Sequence, residues 1–229
     1  KNGIKWTVVL DAKQGKMYDN VSVPVFSPDS KRLAYIAQIG DTFTVVLDGK
    51  EIGLYDGVPP QYNLMFSQDS KRFAFIAIKG KRMLAVIDGK EEKVYDKVST
   101  PVFSPDSKHV VYPAIQKKNN KEEGFMVIDG KEGPHYDNTV LFSFSSDSER
   151  LVYTVTRDDK RIMVADGKEG PEFTDIAMPI FSPDRKVMVY LAVEGKKNYM
   201  VINGKKGDGY DIIRDYVFSP DSSRTCMSA

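Results

Sequence analysis

One five-residue phrase governs this chain. Phe26-Ser27-Pro28-Asp29-Ser30 returns, intact or edited, at Phe66-Ser67-Gln68-Asp69-Ser70, Phe103-Ser104-Pro105-Asp106-Ser107, Phe144-Ser145-Ser146-Asp147-Ser148, Phe181-Ser182-Pro183-Asp184-Arg185 and Phe218-Ser219-Pro220-Asp221-Ser222. The intervals between its phenylalanines are 40, 37, 41, 37 and 37 residues. A period of that size marks one supersecondary unit that cannot bury its apolar face alone and must stack on its neighbours.

Each unit reads as four strands. A short strand such as Val23-Pro24-Val25-Phe26 runs into the Ser-Pro-Asp-Ser turn, where proline presets φ and the flanking Ser and Asp can bond nearby backbone. A second strand follows, as in Arg32 to Ile36. After a polar connector of variable length comes a third, rich in β-branched residues, such as Leu84-Ala85-Val86-Ile87. It ends at Asp48-Gly49, Asp88-Gly89, Asp129-Gly130, Asp166-Gly167 or Asn203-Gly204, pairs that tolerate the positive φ of a tight hairpin. The fourth strand closes at Tyr55-Asp56, Tyr95-Asp96, Tyr136-Asp137, Phe173-Thr174-Asp175 or Tyr210-Asp211.

Five units are complete, and the remnants at the two ends are complementary. Residues 214–229 supply a first strand, a turn and the start of a second strand, while residues 1–20 supply a third and fourth. The expected fold is therefore all-β: a six-bladed β-propeller of four-stranded antiparallel blades, its ring closed by N- and C-terminal strands sharing one blade. The chain reads as one domain, with blades over about 21–58, 61–98, 99–138, 140–176 and 177–213, at about 38 residues per blade. Closure of this kind leaves no long unpaired edge. A truncated seven- or eight-bladed ring is the competing reading.

The Phe-Ser-(Pro)-Asp turns, each followed by an Arg-Leu-Ala-Tyr-type strand, resemble the WD40-like repeats of TolB-type propellers and of the propeller domains of prolyl-oligopeptidase-type enzymes. One departure stands out: the TolB-like pattern usually has Gly after the Asp, and this chain has Ser30, Ser70, Ser107, Ser148, Arg185 and Ser222. The resemblance implies a non-catalytic, bacterial-type interaction ring in a periplasmic or otherwise exported location, with the cytoplasm left open. Neither TolB's additional N-terminal domain nor a hydrolase domain is expected in these residues, and the non-Met start reads as a processed or trimmed form.

Composition narrows the partners. With 33 basic and 32 acidic residues the net charge is +1, which gives no long-range field for nucleic acid. Cys226 is the only cysteine, so no intrachain disulfide forms and no Cys/His zinc spacing exists. No apolar run approaches a membrane helix. A monomer without cofactor or metal, whose partner is another protein, is expected.

Residues that recur in every blade do the same structural job each time, so a localised function should break the pattern. The turn aspartates, the Tyr-Asp pairs and the Lys50, Lys90, Lys131, Lys168 and Lys205 series, beside Glu51, Glu91, Glu132 and Glu169, read as framework and solvated mixed-charge surface. The non-repeating residues lie just before each repeating Phe, near the expected channel mouth. There Tyr62, Asn63, Arg214, Asp215 and Tyr216 are the candidate binding patch, with the lengthened Pro59-Pro60-Gln61 loop beside it. No catalytic residues are assigned: His109 and His135 read as surface residues, and Trp6 as filling a contact between blades. The Lys117–Glu123 connector reads as a flexible rim or as disorder. A small-molecule or glycan-binding propeller with weak hydrolase activity is the alternative function, and a gating fragment of a larger peptidase a third.

Overall fold

The computed structural model describes residues 4–59 and 64–229, and every regular element among them is a β-strand. Five consecutive repeats each form an antiparallel sheet. In the first, Leu33–Ile39 pairs with Thr42–Leu47, and that strand pairs with Lys50–Tyr55. The fourth and fifth repeats reproduce this order with Leu151–Arg157, Lys160–Ala165 and Lys168–Phe173, and with Met188–Glu194, Lys197–Ile202 and Lys205–Tyr210. The second strand is the central element of each sheet. Its near-continuous apolar run, such as Phe73-Ala74-Phe75-Ile76-Ala77, is buried throughout because both faces of the blade are covered.

Hairpin chemistry sets the register. Asp48 and Gly49 have φ of 52° and 79°, the paired left-handed geometry of a two-residue turn, and Asp88, Asp129, Asp166 and Asn203 repeat it. The aspartate does more than turn the chain. Asp48 Oδ1 accepts the Leu33 N–H at 2.9 Å and its Oδ2 accepts from Arg32 Nε at 2.9 Å, tying the hairpin to the start of the second strand. The Lys117–Glu123 connector, expected as a loose rim, is instead a regular hairpin: Val110–Lys118 and Lys121–Ile128 are joined by Asn119 and Asn120, at φ 51° and 61°. Asparagine tolerates that region, so the polar run that reads as disorder is a turn.

The chain divides into two compact units, residues 1–121 with 126–133, and residues 122–125 with 134–229. Each has its own core. In the first, Tyr55, Phe73, Phe75, Leu84 and Val86 pack between two blades, with Tyr55 edge-on to Phe75 at 5.8 Å. In the second, Met163, Phe173, Ile176, Tyr190 and Val201 do the same. The terminal remnants are two-stranded sheets: Val9–Leu10 with Lys13–Gln14 in the first unit, and Asp215–Phe218 with Thr225–Ser228 in the second.

The residue after each turn aspartate explains the departure from glycine. Ser30, Ser70, Ser107, Ser148, Arg185 and Ser222 all lie at φ between 60° and 67°, a region that costs a non-glycine residue about 1–2 kcal/mol. The serine hydroxyl offsets this by latching neighbouring blades. Ser70 Oγ accepts the Asp29 N–H at 3.0 Å, Ser107 Oγ the Asp69 N–H at 3.1 Å, and Ser222 Oγ the Asp184 N–H at 2.9 Å. Ser70→Ala keeps the strain and orphans the Asp29 N–H, so urea denaturation should show a loss of about 1–2 kcal/mol. Ser70→Gly relieves the strain as it removes the latch and should lie within about 0.5 kcal/mol of the parent.

Candidate functional site

The repeating polar residues are engaged in the framework. Ser27 Oγ donates to Asp29 Oδ1 at 2.6 Å and accepts the Arg32 N–H at 2.9 Å, while Asp29 Oδ1 also accepts the Lys31 N–H at 3.1 Å. The same set recurs at Asp69, Asp106, Asp184 and Asp221. The donated serine hydroxyl is the main reason these carboxyls sit below the usual range, Asp221 at about 2. In the Tyr-Asp pairs, Asp19 accepts the Gly40 N–H at 2.9 Å and Asp56 the Gly80 N–H at 2.6 Å, capping the connector hairpins. Tyr18, Tyr55, Tyr95 and Tyr136 are buried, and Tyr18 donates to Glu51 at 2.9 Å, with burial first and that carboxylate second in raising its pKa.

In the first and fourth blades the irregular residues before the repeating Phe sit within the run of the innermost strand, not ahead of it. The innermost strand of the first blade begins at Asn20–Val21, against Gln38 and Ala37, and resumes at Val25–Phe26, against Ala34 and Leu33. Between them Ser22 holds Ile36 by both its N–H (2.8 Å) and its hydroxyl (2.9 Å). In the fourth blade Asn138–Phe144 is one strand whose register shifts between Thr139 and Phe142. Such bulges re-aim side chains out of the sheet. Val140, Leu141 and Met178 are accordingly 38%, 38% and 42% exposed although apolar. In the first, third, fourth and fifth blades, antiparallel strands run from an inner strand whose register shifts along its length to an outer one that leads into the next. The fold is a β-propeller.

The candidate patch divides. Tyr62 and Asn63 lie outside the described residues. Arg214 and Asp215 are exposed in the second unit; the Arg214 N–H donates to Ser228 O at 3.0 Å, and its side chain borders a cavity of about 510 Å³ with Asp211 and Ile212. Tyr216 is half-buried and packs on the cluster of Val189, Met200 and Ile213. Trp6 does not fill a contact between blades: it is 54% exposed, bridged through its backbone to Tyr18. His109 takes arginine's place against the hairpin aspartate, 2.7 Å from Asp129, and His135 stacks on Phe125 and pairs with Glu123 at 2.8 Å. Among the described residues no group of three or more His, Cys, Asp or Glu is placed to hold a metal ion.

No protein-family model and no curated protein matches the sequence. Among solved structures, TolB from Acinetobacter baumannii aligns over 84% of this chain and 56% of its own, at 16% identity and a TM-score of 0.42. The β-propeller domain of the Trilobed protease from Pyrococcus furiosus, of open velcro topology, aligns over 86% and 71%, at 14% identity and a TM-score of 0.43. The acylaminoacyl peptidase of Pyrococcus horikoshii aligns over 86% and 40%, at 14% identity and a TM-score of 0.41. The propeller thus spans little more than half of that TolB chain.

Proposed function

We propose that this propeller is a non-catalytic interaction module that holds a protein partner along its bulged inner strands. The observation that supports this reading is the exposure of apolar side chains at the bulges, Val140, Leu141 and Met178, in positions that differ from blade to blade. Sites of recognition draw on such irregular segments set on a rigid scaffold. The residues that do repeat are taken up by turns, hairpins and blade joints, which leaves the non-repeating ones to carry specificity.

A photo-crosslinking residue placed at Leu141 or Met178, in cells that express the chain naturally, should give one discrete protein adduct. The same residue at Lys50, on a hairpin turn, should give none. Leu141→Asp with Met178→Asp should abolish partner recovery with the melting curve unchanged. Changing Tyr62 and Arg214 to Ala should lower recovery if the patch extends to them. Equal adducts from Lys50 would overturn the assignment of the face.

A further inference from the structure

The joint between the fourth and fifth blades breaks the rules that the other blades follow. At three other joints a fourth-strand tyrosine donates to a glutamate of the next blade: Tyr18 to Glu51 and Tyr95 to Glu132 at 2.9 Å, Tyr136 to Glu169 at 2.8 Å. Here the tyrosine is Phe173 and the glutamate is Lys206, whose ammonium lies 5.6 Å from the Phe173 ring and pairs with Glu194. The hairpin aspartate is Asn203, and the arginine that would pair with it is Val187. Two carboxylates present at the equivalent positions of other blades are therefore missing from this joint.

A cavity of about 720 Å³ opens there, the size of a small-molecule site. Lys168 and Lys186 line it, and neither makes an ion pair among the described residues; the bordering acids are committed elsewhere, Asp166 to Arg150 at 3.0 Å and Glu169 to Arg157 at 2.6 Å. Met163 and Met188 form apolar wall. Tyr190 also lines the cavity. It is fully buried, and its hydroxyl has no hydrogen-bond partner among the described residues. A buried donor left so is unfavourable unless something reaches it. A Cβ at position 170 would come within 3.3 Å of that oxygen, and the residue there is Gly170. Burial pushes the Tyr190 pKa up to about 12, so the group stays a donor at neutral pH.

We propose that this cavity binds a phosphomonoester of a compact apolar or aromatic group, its phosphate held by Lys168 and Lys186, with the Tyr190 hydroxyl donating to it. Neither ammonium has a carboxylate at ion-pair distance among the described residues, Asp184 acting on Lys186 only at longer range, so the pair suits an anion, and lysine serves phosphate as a point charge. The site is independent of the protein-binding face, and either can fail without the other.

Calorimetric titration of the whole chain with phenyl phosphate tests it. Saturable binding is expected, with benzoate and inorganic phosphate each about tenfold weaker or more, and no binding of phenol. Lys168→Ala with Lys186→Ala should weaken phenyl phosphate by about tenfold or more. Tyr190→Phe should weaken it several-fold while leaving the unliganded protein at least as stable, since it deletes an unpartnered hydroxyl. Absence of saturable binding, or affinity unchanged in both variants, overturns the site. Equal affinity for inorganic phosphate overturns the organic part of the ligand.

Discussion

Phe75→Ala is expected to destabilise the protein by about 3–5 kcal/mol, measured by urea denaturation. Phe75 is wholly buried at the middle of a second strand, edge-on to Tyr55 at 5.8 Å and tilted to Phe73 at 5.9 Å. Truncation removes the ring's transfer energy and leaves a void between two sheets whose backbones are held in place by their ladders, so the site cannot collapse. Phe26→Ala is the matched control. Its ring is 53% exposed, and the loss should stay near 1 kcal/mol. Equal losses at the two positions would mean that the blades do not stack through their second strands.

Removal of residues 214–229 should cost on the order of 3–5 kcal/mol and sharply lower the melting temperature. Tyr216, Phe218 and Met227 pack against Val189 and Met200, and deletion exposes that face.

The sequence carried the repeat, the four strands of each blade and the hairpin turns, because each rests on local chemistry: proline and aspartate in the turn, Asp-Gly at positive φ, β-branched runs between. What it hid depends on partners remote in sequence. Ser70 reads as a turn residue, and only the neighbouring blade shows its hydroxyl accepting from Asp29. The sequence reads an inner strand from Val23, but its ladder begins at Asn20, since a bulge destroys the alternation by which strands are recognised. Tyr216 breaks the repeat as a binding residue would, and the packing of its half-buried ring on Val189, Met200 and Ile213 shows only in the fold, because an aromatic ring is as useful to a core as to a ligand. The altered joint was visible in principle. Phe173, Val187, Asn203 and Lys206 each depart from the consensus of the chain's own blades, but their meeting at one joint requires the fold.

That exchange also limits the modularity of the propeller. A copy of the second blade put in place of the fifth would set Glu91 where Lys206 now answers Glu194 of its own sheet and lies over Phe173 of the previous one. The transplant would bring its own matching Lys79, yet Phe173 would have no hydroxyl to offer the incoming carboxylate. Blades built on one plan have thus become spare parts with fitted edges, and shuffling them requires changing the seam as well as the piece.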